Sequence, residues 1–159
     1  MLNFKERDIE SGDMLYGERI QLARIFSDGQ STDFDKIRET IKLLHDLEVG
    51  PKEAAELQPY VERIIRAFND WLEREQKECS VPPTQDQSAA GFQILADELG
   101  DMGNVVQIAE QRGWTFEQVL KLPYTEVFTI WKVSAANARF EQRYMALMER
   151  KSNKHGYHS

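Results

Sequence analysis

The residues whose type and spacing come nearest to chemistry are the carboxylates of "DELGDMGN", 97–104. Asp97, Glu98 and Asp101 would cluster on the polar side of a helix, an arrangement with which several all-α phosphohydrolases bind magnesium. Such a site also needs a matched carboxylate pair on a facing helix. Glu53 and Glu56, or Glu73 and Glu75, supply carboxylates without completing that set. A solvated acidic face explains the same residues, and a metal-dependent hydrolase using Asp97, Glu98 and Asp101 stands as the alternative reading.

The remaining reactive side chains are few. His45 precedes Asp46, but adjacent helical residues do not face one another, so the pair reads as a histidine placed favourably at a helix C-terminus. His155 and His158 sit in the polar tail "KHGYHS". Cys79 is the single cysteine, with no histidine near it in sequence, and reads as a plain thiol. Phosphate-binding glycine loops, nucleophile elbows and HExxH are missing from the sequence. The sequence therefore assigns no catalytic, cofactor or metal residue and points to a non-enzymatic protein that acts by binding another protein.

Composition narrows the partner. The 159 residues carry a formal net charge of −7, with 41% hydrophobic and 30% charged residues. An acidic chain without a basic cluster is not expected to bind nucleic acid. No apolar run is long enough to span a membrane, and the charged start "MLNFKERDIE" leads to an expected cytoplasmic location.

The elements that would position any binding surface are helical throughout. Residues 1–13 read as an arm, extended or a short strand, ahead of a single all-α domain over 14–151 and a disordered tail over 152–159. The domain is a compact bundle of six to seven helices. Met14 to Phe26 forms the first, weakened by Gly17. Phe34, Ile37, Ile41 and Leu44 mark the second, capped by Ser31 or Thr32. Gly50-Pro51 opens a brief helix, and Pro59 starts another carrying Val61, Ile64, Ile65, Phe68, Trp71 and Leu72. Thr84 and Gln87 box-cap the helix whose stripe is Phe92, Leu95, Leu99, Met102, Val106 and Ala109, with Gly113 ending it. A long last helix runs from Tyr124 to Arg150 and is apolar on more than one side, as a helix central to its bundle or lending one side to a partner would be.

Between those two helices lies "GWTFEQVLKLPYTEVF", 113–128. Thr115 and Gln118 can box-cap a short helix and Pro123 begins the long one, so Trp114, Phe116, Val119 and Leu120 are expected to anchor the corner in the core. On that reading Trp114→Ala costs a few kcal/mol. The tryptophans and tyrosines Trp71, Trp114, Trp131, Tyr60, Tyr124 and Tyr144 serve equally as core residues and as interface anchors.

This region resembles the C-terminal part of phage tail assembly chaperones, where a "G-W-[ST]-x-x-x-V-L-x-[LM]-P" segment precedes a helix rich in Phe and Tyr. Here it reads Gly113-Trp114-Thr115 through Val119-Leu120-Lys121-Leu122-Pro123, then Tyr124-Thr125-Glu126-Val127-Phe128 and "ARFEQRYMALMERK". "YGERIQLARIF", "IKLLHDL" and "IIRAFNDWLEREQ" are similar to the front of such phage or prophage proteins. The resemblance implies a chaperone that holds the coiled-coil-forming tape measure protein soluble, with the tail tube protein as a further partner and a homo-oligomer possible. The last helix then supplies one wall of a groove, through Tyr124, Phe128, Trp131, Phe140 and Tyr144. A small regulatory helical interaction protein is the other alternative.

Overall fold

A computed structural model of the chain describes residues 4–155, with side chains through 152. Seven α-helices are present among them: α1 Tyr16–Ser27, α2 Asp33–His45, α3 Pro51–Arg74, α4 Gln85–Ala89, α5 Phe92–Arg112, α6 Phe116–Leu120 and α7 Tyr124–His155. A π-helical turn, Glu75–Cys79, continues α3. The chain is all-α, with a long C-terminal helix.

Local signals set most boundaries. Thr32 and Asp35 form a capping box on α2, and Thr115 with Gln118 does the same on α6. Gly113, at φ 67°, closes α5 in the left-handed conformation. Asp46 does this for α2 at φ 52°, a cost an aspartate bears more readily than most side chains.

Several expectations change. The brief helix at Pro51 and the helix expected from Pro59 are one, with Pro59 inside it. Its ring and the Ala55 carbonyl it deprives of a donor lie on the exposed side, where water replaces the lost bond. The Thr84–Gln87 box exists but caps the five-residue α4; the chain breaks at Gly91, φ 84°, before α5 begins. The apolar stripe of α5 is interrupted as well, at Gly100, where φ 51° and ψ −142° are open to glycine alone. α7 runs on through His155, past the expected start of the tail; His158 lies outside the described residues.

The core gathers around aromatic rings. Trp71 meets Tyr124 and Phe128 edge-on, at centroid distances of 5.1 and 5.2 Å. Its Nε1–H donates to the Ile9 carbonyl at 2.8 Å, which pins the N-terminal arm to α3. Arg7 ties the same arm down, donating to Glu18 Oε2 at 3.0 Å and to the Asp13 carbonyl at 2.9 Å. The arm from Phe4 to Asp13 is thus docked through turns rather than as a strand, and Ile9 is buried.

The proline corner is clamped by main chain. Tyr16 N–H donates to the Leu122 carbonyl and Tyr124 N–H to the Met14 carbonyl, both at 2.9 Å. This bridge joins the start of α1 to the start of α7. Gly17 permits it, because a Cβ there would stand 3.1 Å from the Leu120 carbonyl oxygen. Its poor helix propensity is offset by that close approach.

Val119 is buried and Leu120 half-buried at this corner, whereas Trp114 is 38% exposed and Phe116 51%. The expectation that Trp114 and Phe116 anchor the core is corrected: each sits at the outer lip of the short α6. Trp114→Ala should therefore lower stability by no more than about 1 kcal/mol in chemical denaturation. Gly12 is the less forgiving position. With φ at +85°, an alanine Cβ would fall 2.5 Å from Thr125 Cγ2 and 3.1 Å from Trp71 Cζ2. Gly12→Ala is expected to cost about 2 kcal/mol, and Thr125→Ser, which deletes the clashing methyl, should recover part of it. A neutral Gly12→Ala in urea unfolding would disprove the contact.

Candidate functional site

α7 is 32 residues long, about 48 Å at the helical rise. Its N-terminal third is core: Tyr124, Val127 and Phe128 are buried and Trp131 is half-buried against Tyr16, ring centroids 5.3 Å apart. Past Ala135 the outer side of the helix faces solvent. Phe140 is 60% exposed, Tyr144 52% and Leu147 55%.

These residues follow a pattern. Val133, Asn137, Phe140, Tyr144, Leu147 and Lys151 are separated by four, three, four, three and four, the spacing of a coiled-coil seam. Ala135, Ala138, Arg139 and Gln142, on the opposite side, are the residues with reduced exposure. Arg139 donates to the carbonyls of Ser80 and Glu78, and Lys132 pairs with Glu78 at 2.6 Å, fastening that inner side to the π turn. The outer side is left as an apolar seam open to solvent.

The five expected partner residues are thereby divided. Tyr124 and Phe128 present no surface to a partner, because Trp71 and the π turn enclose them. Tyr124 also donates its hydroxyl to Glu75, and burial followed by the Glu75 charge pushes its pKa up. Trp131 is half-buried. Phe140 and Tyr144 stand in the open, stacked 6.3 Å apart. Val133 and Leu147 belong with them, and the four-three spacing was the signal that could have found them.

A second feature escaped the sequence altogether. Arg19 of α1 is buried and bonded to Glu75 of the π turn, at 2.9 Å from Nε, and to Asp101 of α5, at 3.0 Å from Nη1. Burial lowers the pKa of its guanidinium, and the two carboxylates more than restore it. The group lines a cleft of about 610 Å³ between α5 and α7, beside Gln107, Trp131 and Ala135. It is a charge-matched structural tie.

That tie bears on the hydrolase alternative. Asp101 already serves Arg19, Asp97 accepts from Gln93 at 2.7 Å, and the break at Gly100 separates Asp97 and Glu98 from Asp101. Among the described residues no three His, Cys, Asp or Glu side chains gather as metal ligands would. Cys79 is half-buried, and burial, then Glu75, pushes its thiol away from the thiolate form.

His45 does end α2, as its sequence position suggests, but the dipole does not control it. Its Nε2 lies 2.9 Å from the Tyr60 hydroxyl and its ring 4.3 Å from Phe4. Because the Tyr60 oxygen already accepts from Arg7 N–H, its own proton is available to the neutral imidazole. Burial, then the Arg7 charge, holds the pKa below its ordinary 6.5. A depressed histidine adds stability that is complete above 6.5 and is lost as pH falls through the folded-state value. Thermal unfolding should accordingly show a smaller loss between pH 7.5 and 5.0 in His45→Gln than in the parent, a window set by that ordinary value.

No helix among the described residues is long and apolar enough to cross a membrane. Comparison of the chain with protein-family models, curated proteins and solved structures finds no match.

Proposed function

We propose that this chain is a non-enzymatic tail assembly chaperone of a phage or prophage, which binds the tape measure protein before tail assembly. The observation that carries the reading is the apolar seam of Val133, Phe140, Tyr144 and Leu147, set along the solvent-facing side of the long C-terminal helix. A long coiled-coil-forming protein must have its own seam covered until it assembles, and a helix with matching four-three spacing covers it by helix-to-helix packing. The net charge of −7 keeps a protein with this much open apolar surface dispersed. The resemblance of residues 113–128 to the chaperone segment supports the same partner, through the corner that sets the angle of α7. The tail tube protein is the further partner of this reading.

Co-expression with a tape measure protein encoded beside it tests the proposal. The expected result is a soluble complex that elutes as one species and is lost in Phe140→Glu with Leu147→Glu. An insoluble tape measure protein, or a complex indifferent to both substitutions, would sink it. Both side chains are exposed, so circular dichroism of the variant should match the parent.

A further inference from the structure

The apolar seam on α7 is not uniform, and its interruptions bear on which helix it can take. Val133, Phe140 and Leu147 form one row of the seam, and Asn137 and Tyr144 form the other. Asn137 is exposed, and its side-chain amide makes no hydrogen bond among the described residues. An amide at such a core position lowers affinity relative to an aliphatic side chain but fixes register, because covering it is costly unless a second polar group lies opposite.

Size adds a second restriction. Phe140 and Tyr144 fill successive layers of the seam, stacked 6.3 Å apart and each more than half exposed. Coiled-coil layers are built for aliphatic side chains facing one another. Two rings in adjacent layers leave room only for small residues opposite them, and leucine there would be overpacked. A second copy of this chain fits badly for the same reason, since two α7 helices centred on these layers set ring against ring in either direction.

Charge adds a third. Arg143 and Arg150 run along one edge of the seam, both exposed and without a carboxylate partner among the described residues. The edge of a helix lying beside them is favoured when acidic.

We infer, on the reading of the seam as the partner-binding surface, that it receives one amphipathic helix in a single register. That helix carries a polar residue opposite Asn137, small residues opposite Phe140 and Tyr144, and carboxylates along the edge facing Arg143 and Arg150. A stretch with aliphatic residues at every core position is rejected, by the unpaired amide and by the rings. The seam from Val133 to Leu147 is about 21 Å long, so one short segment of a long coiled-coil-forming protein is selected and the rest is passed over.

Two synthetic peptides of about four heptads test this, one patterned for parallel and one for antiparallel pairing. Each places asparagine opposite Asn137, alanine opposite Phe140 and Tyr144, leucine opposite Val133 and Leu147, and glutamate on the edge facing the arginines. One of the two is expected to bind the full chain at micromolar concentration in fluorescence anisotropy. Exchanging both alanines for leucine, the asparagine for leucine, or the glutamates for lysine should each weaken binding at least about tenfold. Each loss should be recovered in the matching chain variant: Phe140→Ala with Tyr144→Ala, Asn137→Leu, and Arg143→Glu with Arg150→Glu, in that order. Such recoveries cannot come from a variant that has merely unfolded. Binding by neither peptide, or binding indifferent to all three exchanges, overturns the inference. So does a parent chain that sediments as a dimer and becomes monomeric in Phe140→Glu, because the seam then takes its own copy. A tape measure protein held soluble through Phe140 and Leu147 while both peptides fail defeats this inference alone. Peptides that bind as described, beside a tape measure protein that does not, defeat only the functional proposal.

Discussion

Trp71→Ala is expected to lower stability by about 4 kcal/mol, equivalent to a fall of about 12 °C in the thermal midpoint. The indole is buried where α3, α7 and the N-terminal arm meet. It packs edge-on against Tyr124 and Phe128 of α7, carries the Arg74 guanidinium 4.2 Å above its face, and holds the Ile9 carbonyl of the N-terminal arm. Truncation opens a cavity beside the Tyr124 and Phe128 rings, and it takes the indole donor from the Ile9 carbonyl, which keeps only the Gly12 N–H at 3.0 Å. Trp71→Phe separates the two effects. It keeps most of the ring contact and loses the hydrogen bond, so it should cost about 1–2 kcal/mol. Urea unfolding measures both variants. A loss below about 1 kcal/mol in Trp71→Ala would mean that the arm and α7 are not joined through this ring.

Arg19→Met is expected to cost about 3 kcal/mol, although methionine fills much of the arginine stem. The loss arises from what remains: Glu75 keeps only the Tyr124 hydroxyl, and Asp101 loses its cation. Because the penalty is that of unpaired charge, removing the charge should reduce it. Arg19→Met combined with Glu75→Gln should be more stable than the sum of the two single losses predicts. Strict additivity in a urea double-mutant cycle would show that the pair is not coupled. Hydrogen exchange gives a second view, since α5 and the π turn should open more readily in the single variant than in the double.

Much of the fold is written locally. Thr32, Thr115 and Gly113 end or begin helices through bonds to backbone groups three to five residues away, so the chain needs no tertiary partner to display them. The helical period of α3 from Val61 to Leu72 is equally local, and so was the prediction of an all-α bundle. Pro59 misled because its cost depends on which way its ring and the freed carbonyl face, and only packing turns that side of α3 to water.

The candidate site divides along the same line. By itself the sequence determined that α7 is long and apolar on more than one side, since periodicity is a property of the chain. It could not tell which apolar side is core. Tyr124 and Phe140 look alike in a helical pattern, yet one lies under Trp71 and the other stands in solvent. That choice was made by the main-chain bridge between Met14–Tyr16 and Leu122–Tyr124, which turns the first third of α7 inward, and past Ala135 by the contacts of its inner side, which leave the outer side facing solvent. The Arg19 tie is a tertiary product altogether, with partners 56 and 82 residues away. No local pattern brings such charges together; only the closing of α1 against the π turn and α5 does.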